Sequence, residues 1–408
     1  MARTLYCIAG IALLAALPLV LTSNYAMALM CQIGVSIVFA LSYNLLMGET
    51  GMLSFGHAVY YGTGAFTVIH YMAQVNEGQL AFPIAVLPVF GGIAALILGL
   101  AFGAVVTRRA GIAFAMITLG LGEVAIAASH MFHGPFGGEA GKSADRTIGP
   151  TFAGLDFGPT NELYWLVLAW VLASVGLMYF LTRTPLGRIA NAVRDNAERV
   201  AYLRFNPRLV RLIMYAFSAF FAGIAGGLSA IIFEIVTFEV FSLNTSSMVV
   251  LATFIGGTGN FLGPVLGATL VTWLQSSLSQ FTDAWILYLG LFFMFMVSFA
   301  PEGLIGLLHK ILRPKAGFKR RLLLRQATAR AIRLIPFGVG GVAIVELTYR
   351  ISPISTRSTD FVIAGHHFDA QTPLPWLLSA AMLLLGLVVL LRRPRAAEAR
   401  AKAKGQRT

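Results

Sequence analysis

The sequence predicts an all-α, polytopic integral membrane protein, and three observations carry that prediction. Of 408 residues 57% are hydrophobic and only 12% charged, and the mean hydropathy is +0.78, far above that of an ordinary soluble domain. The apolar residues fall in runs near the roughly 20 residues that a helix needs to cross a hydrocarbon core. Between the runs stand 30 Lys and Arg against 17 Asp and Glu, a net of +13. That excess marks cytoplasmic loops rather than nucleic-acid binding. No stretch is polar enough to form a soluble domain of its own.

In chain order the candidate spans are 5–21, 25–47, 53–73, 82–106, 111–131, 162–182, 211–233, 245–257, 263–280 and 284–308, and then 334–349 and 374–391. The two weakest, 245–257 and 334–349, are short, and the second holds Glu346; each reads as a re-entrant or tilted element. This gives about ten core spanning helices in residues 1–309, then a basic amphipathic linker and two further apolar segments in 310–408. Arg3, Arg108 and Arg109, the basic residues from Arg183 to Arg211, those from Arg313 to Arg333, and those from Arg392 to Arg407 are each separated by an even number of spans. One topology satisfies all of them, with both termini cytoplasmic and loops 74–81, 132–161, 234–244 and 350–373 outside. Arg3, the first apolar run and Ala26-Met27-Ala28 also fit a cleaved signal peptide, although cleavage would fall at the start of the next apolar run.

The first cytoplasmic turn, Asn44 to Ala58 and then Gly62-Thr63-Gly64-Ala65, is dense in glycine. Glycine lets helices approach closely, and lets backbone leave helical geometry where neighbouring protein satisfies it. Glu49 and His57 are polar groups near membrane depth, which face a bundle interior or a pathway; Glu49 alone fits a solvated hairpin equally well. A second glycine-rich turn, Gly256 to Pro264, shares Gly-x-Thr-Gly with Gly48-Glu49-Thr50-Gly51, a short hint of two pseudo-related halves. Glu123 lies in the middle of its span, so it either lines a conduit or bonds to a neighbouring helix.

The long cytoplasmic loop 184–210 is the most informative stretch. Thr184 can cap a helix and Pro185 suits its first position. From there Ile189, Val193, Val200 and Leu203 share one stripe, and Pro207 ends the helix. Such an amphipathic helix either docks a soluble partner or lies on the lipid surface.

Other chemistry finds little support. Phe136 to Ser143 ends in Gly-Lys-Ser, but a phosphate-binding loop needs glycine where Phe136 stands. His130 with His133, and His366 with His367, lack further ligands at metal-site spacing. Cys7 and Cys31 both sit in apolar runs and offer no disulfide framework. No catalytic constellation can be assembled.

Taken in order, Asn44–Ala65, Ala113–Glu123, Gly187–Glu198, Phe217–Leu228, Ile255–Gly267 and the closing Pro301–Gly306 resemble the permease subunits of branched-chain amino-acid ABC importers, over about residues 25–309. The resemblance implies a non-enzymatic, multi-pass subunit of the bacterial inner membrane with no cofactor of its own. Its partners would be a second homologous permease, two cytoplasmic ATPases that bind the ATP, and a periplasmic solute-binding protein; nucleic acid is not among them. Arg188, Arg194, Asp195, Glu198, Arg199 and Leu203 would form the ATPase-coupling loop, and Gly51, Ser54, His57, Thr118 and Glu123 are candidates for the translocation path. The family also serves urea, amides and small carboxylates. Related coupling loops usually place glycine shortly after the helix, where this chain has Arg204, and residues 310–408 lie outside the resemblance. An ion-gradient-driven secondary transporter using Glu123 and His57, and an enzyme or assembly factor working through the C-terminal region, are the competing readings.

Overall fold

The computed structural model describes residues 18, 23–151, 154, 157–300, 302–312, 338–351, 360–363 and 366–391. The chain falls into two compact units, residues 1–276 with 292–309, and residues 277–291 with 310–408. The segment predicted at 5–21 lies outside the described residues, apart from position 18. The protein is an all-α polytopic membrane protein. Five described helices are long and apolar enough to cross a membrane, or six if the broken pair near 285–309 counts as one span.

The first unit opens with α1 (Asn24–Thr50), an uninterrupted apolar helix that includes Ala26, Met27 and Ala28. It ends at Gly51, which takes a left-handed φ of 71° while the Met52 amide reaches back to the Leu46 carbonyl at 3.0 Å. Next in order are α2 (Ala58–Asn76), α3 (Leu87–Val106), α4 (Ile112–Met131) and α5 (Thr160–Arg183). The 184–210 loop forms α6 (Pro185–Asp195) and α7 (Ala197–Tyr202). Then comes α8 (Pro207–Phe233), with Pro207 in its first turn and the Asn206 side chain capping the Arg208 and Leu209 amides at 3.1 and 3.3 Å. The 14-residue α9 (Leu243–Gly256) and the 20-residue α10 (Leu262–Phe281) flank the second glycine-rich turn, and α11 (Trp285–Phe299) and α12 (Gly303–Leu312) come after them. A pair of two-residue strands, β1 (Lys142–Ser143) and β2 (Ile235–Val236), joins the loop after α4 antiparallel to the chain leaving α8.

Two sequence expectations change. The span predicted from 53 begins as helix only at Ala58, because residues 51–57 run in non-helical conformation back alongside α1. The Ser42 hydroxyl lies 2.9 Å from His57 Nε2, so the segment climbs by about eight helical residues, ~12 Å at 1.5 Å per residue. Its polar backbone is satisfied on the way: the Phe55 amide donates to Thr118 Oγ1 at 3.1 Å and the Ala58 amide to Ser246 Oγ at 3.0 Å. The second change is that the single helix predicted over 185–203 breaks at Asn196, whose extended backbone lets its own carboxamide cap the Arg199 amide at 2.9 Å.

Helix α8 is the hub, packed on α1, α2 and α3. It meets α2 and α3 backbone to backbone. A Cβ at Gly64 would strike the Gly223 carbonyl, one at Gly226 would strike the Tyr61 carbonyl, and one at Gly91 would stand 2.9 Å from the Gly64 carbonyl. Between helices in lipid there is no hydrophobic driving force, so close approach of this kind, with its added dispersion contacts, supplies the attraction.

In the second unit, helix α13 (338–351) approaches α14 (Pro373–Leu391) at Gly340, where a Cβ would lie 2.9 Å from the Ser379 carbonyl. Glu346, the polar residue in that weak apolar segment, accepts a bond from the Tyr288 hydroxyl at 3.1 Å. An antiparallel hairpin, β3 (Asp360–Ile363) with β4 (His366–Asp369), holds His366 and His367, and is a feature that the apolar periodicity does not announce. No group of three or more metal-ligating side chains occurs among the described residues.

Gly223→Val should therefore destabilise the purified protein by about 3 kcal/mol or more, since neither the Gly91 backbone nor Ala95 can yield. Gly176→Ala, where nothing lies within 4 Å, should be neutral or stabilising by up to about 1 kcal/mol. Thermal unfolding in detergent compares the two.

Candidate functional site

The α8 helix separates two ends of the first unit by ~40 Å, 27 residues at 1.5 Å each. At its C-terminal end, the loop end, lie residues 132–151, 157–159 and 234–242. At its N-terminal end, the linker end, lie α6, α7 and Gly51.

At the loop end a cavity of about 410 Å³ opens between α1, α8, α9 and α10, within the size range of small-molecule sites. One face of α9 contributes Asn244, Thr245, Met248, Val249 and Ala252; α1 contributes Gln32, Val35, Ser36 and Phe39. Thr272 and Gln275 come from α10, and Glu239 from the short turn Phe238–Phe241 that precedes α9. That turn is fixed by its own capping. The Ser242 hydroxyl caps the Thr245 amide at 3.2 Å, the Thr245 hydroxyl returns a bond to the Glu239 carbonyl at 3.2 Å, and buried Phe241 stacks on Phe66 with centroids 5.5 Å apart.

The β2 wall of the cavity is tied down by the preceding loop, in which Lys142 pairs with Val236 and Ser143 with Ile235. Arg146 clamps the end of α8, donating to the Ile232, Phe157 and Gly158 carbonyls at 3.2, 3.0 and 3.3 Å, with Glu234 3.8 Å from its guanidinium. In the same loop, the hydroxyl and the amide of Thr147 donate to Asp145, which holds that carboxyl below the usual carboxylate range. The Gly-Lys-Ser run is thus strand backbone beside the cavity, not a phosphate cradle.

Phe39 and Tyr61 close the cavity from below, ring against ring at 4.6 Å. Beneath Phe39 its neighbour His57 is stacked at 5.4 Å, with Tyr43 and Tyr60 edge-on at 5.5 and 6.1 Å. His57 is fully buried. The Ser42 hydroxyl gives its proton to the Phe39 carbonyl at 2.7 Å, so His57 donates to Ser42 through Nε2 and keeps Nδ1 as an acceptor. His57 Nδ1, Ser54 Oγ and Asn44 Oδ1 are all buried with no hydrogen-bond partner among the described residues.

The sequence-derived path residues therefore occupy three places. Ser54, His57 and Thr118 lie in the packed layer below the cavity, with Thr118 donating to the Ala115 carbonyl at 2.8 Å and receiving the Phe55 amide. Gly51 lies at the linker end, where a Cβ would stand 2.9 Å from Arg194 Cγ. Glu123 is exposed on the outer face of α4, among Met116, Ile117 and Val124. None of the five lines the cavity. The polar residues that do so, Gln32, Glu239, Asn244, Thr272 and Gln275 among them, escaped sequence reading. The one signal was the polar run Asn244-Thr245-Ser246-Ser247 at the start of the weakest core span.

At the linker end the charged residues divide by role. Arg194 turns inward and donates through Nη1 to the Gly48 carbonyl, and Asn191 donates to the Glu49 carboxylate, so α6 is latched to the end of α1. Asp195, Arg188, Glu198 and Arg199 are exposed, and beyond them Tyr202 and Leu203 stand 87% and 70% exposed, with Phe205 beside them. Arg204 takes a φ of 64°, the left-handed conformation that glycine adopts without penalty.

Comparison with known proteins agrees with this architecture. The profile of a family described as branched-chain amino acid transport system / permease component matches residues 25–300, from α1 through α11. The high-affinity branched-chain amino acid transport system permease protein LivM of Escherichia coli (strain K12) is 29% identical over 303 residues, covering 69% of this chain and 70% of the relative. The protein of the same name from Salmonella typhimurium (strain LT2) is 28% identical over 302 residues, with the same coverage. No solved structure matches the chain.

The division at the linker is measurable. Arg194→Ala should cost about 1–2 kcal/mol by freeing the Gly48 carbonyl, whereas Asp195→Ala, at a side chain 72% exposed, should stay within about 0.5 kcal/mol of the parent. Arg204→Gly should raise stability by about 1 kcal/mol, because it removes the left-handed strain. Thermal unfolding of the three variants in one detergent checks the order.

Proposed function

We infer that this chain, which belongs to the branched-chain amino acid transport system permease family, is the membrane-spanning subunit of an ATP-binding-cassette importer in the bacterial inner membrane. Branched-chain amino acids are the favoured cargo, on the strength of what both relatives are named for; urea, amides and small carboxylates are the wider class. In this reading both termini and the linker end face the cytoplasm, and the loop end faces a periplasmic binding protein. A second homologous permease completes the pathway, and two cytoplasmic ATPases bind and hydrolyse the ATP.

The observation that carries the reading is the pairing of a cavity open at one end with an exposed apolar patch at the other. The cavity stops at Phe39 and Tyr61, as expected of a conformation closed toward the linker end. Below them Asn44, Ser54 and His57 keep buried polar atoms unpaired. A buried polar atom without a partner costs about 1–3 kcal/mol, so this layer gains hydrogen bonds if the path opens and admits water or solute. Alternating access then consists of parting Phe39 from Tyr61 above that layer. Tyr202, Leu203 and Phe205, flanked by Glu198 and Arg199, form the surface on which an ATPase would press. Secondary transport coupled through Glu123 and His57 fits less well, because Glu123 lies on the outer face of α4 and His57 under the aromatic floor.

Purification in mild detergent should recover an ATPase pair with the protein. Tyr202→Asp combined with Leu203→Asp should reduce that recovery at least tenfold and leave the unfolding temperature unchanged, since both side chains are exposed. Solute uptake into liposomes that hold this chain alone under an ion gradient would overturn the assignment.

A further inference from the structure

We propose that the loop-end cavity is itself a binding site, a halt on the translocation path for a solute that bears an ammonium group next to an apolar side chain, and that Glu239 receives the ammonium. The proposal rests on the importer reading and adds to it a residue of this chain that determines specificity.

Among the described residues Glu239 is the sole charged side chain lining the cavity; no Lys or Arg lines it. Its carboxylate has no ion pair or side-chain hydrogen bond among the described residues, while its backbone carbonyl is held by the Ser242 amide at 2.9 Å and the Thr245 hydroxyl at 3.2 Å. A charge is thus presented on a fixed turn with its own acceptor capacity unused. The neutral polar residues around it are equally uncommitted. The side chains of Gln32, Asn244, Thr272 and Gln275 make no hydrogen bond to the described protein, although Thr272 is buried. Glu239 and Asn244 are exposed at the cavity mouth, whereas Gln32 and Gln275 are half-buried amides of a kind that walls serving only packing seldom leave unpaired. Amide and hydroxyl donors can hold a solute carboxylate, and Val35, Met248 and Val249 supply an apolar surface in the same cavity. A zwitterion with an aliphatic side chain finds a complement for each of its three parts. A plain carboxylate meets an uncompensated negative charge, and urea leaves the apolar surface uncovered.

The full-length protein in lipid nanodiscs, without ATPase or nucleotide, tests the proposal by calorimetric titration with three probes that share one isobutyl group. L-leucine and 3-methylbutylamine should bind, and 4-methylpentanoate should bind at least about tenfold more weakly than leucine. Glu239→Gln should weaken leucine binding by about tenfold or more, as expected for loss of a charge-assisted bond, and should narrow the gap between leucine and 4-methylpentanoate. Glu139→Gln, at an exposed loop residue outside the cavity lining, should bind leucine as the parent does. Equal leucine affinity in parent and Glu239→Gln, equal affinity for leucine and 4-methylpentanoate, or no binding of any probe at about 10 mM, would each overturn the site. The importer reading stands or falls separately, on recovery of the ATPase pair.

Discussion

The structure depends on one contact, the meeting of three helix backbones at Gly64, Gly91 and Gly223. Each glycine stands where a side chain would strike a carbonyl of the next helix, and α8 is pinned to α2 and α3 along the middle of the bundle. In a solvent of lipid chains such helices gain nothing from hiding apolar surface, so the density of the contact must supply the attraction. The consequence is geometric. With α2 held against α8, its first residue, Ala58, is fixed at the level of Ser42, well inside the span of α1. Residues 51–57 then have no course except back up the side of α1. His57 arrives under Phe39 because of a glycine contact made some residues away.

The polar groups of the first unit divide according to that frame. Most hydroxyls in the spans turn back to a carbonyl on their own helix, as Thr50, Thr63, Thr67, Thr107 and Thr118 do, and so vanish as far as the bilayer is concerned. A second set joins helices: Ser218 to the Ser42 carbonyl at 2.6 Å, Tyr60 to Tyr215 at 2.6 Å, and the Ala58 amide to Ser246. Apart from Asn76 and Arg211, each near one end of its helix, the unpaired buried groups gather in the layer beneath the cavity floor, below a wall whose amides are also uncommitted. The unmet polar atoms set that layer apart from the rest of the bundle.

Much of this was legible in the sequence. Apolar run length located α1, α3, α4, α5 and α8 to within a few residues, because a span long and apolar enough to cross has few alternatives. The capped start of α6 was readable from Thr184 and Pro185, but Pro207, read as the end of the preceding helix, instead opens α8 behind the Asn206 cap. The break at Asn196 was not, since a continuous apolar stripe through Val193 and Val200 looks the same whether or not one residue leaves the helix to cap the next turn. The return of residues 51–57 was half legible: Gly51 and Gly56 announce irregular backbone, but its direction is set by Ser42, Thr118 and Ser246, far away in sequence. The cavity was the least legible part. Its polar lining is spread over α1, α9, α10 and a four-residue turn, so no local window contains it, and Glu239 reads in isolation as an ordinary loop carboxylate.

The same geometry joins the two ends of the unit mechanically. Arg194 on α6 holds the Gly48 carbonyl and packs on Gly51, and from Gly51 only residues 52–56 intervene before His57, on which Phe39 lies. This stretch is non-helical and is held at Phe55 and Ala58 by side chains of α4 and α9 rather than by a helix of its own. In the importer reading, a push on α6 would reach the cavity floor through a handful of residues without passing through α8, which is packed at its glycines. The glycine-packed helix and the non-helical link are thus separate pieces of backbone, and the link begins where α6 is latched.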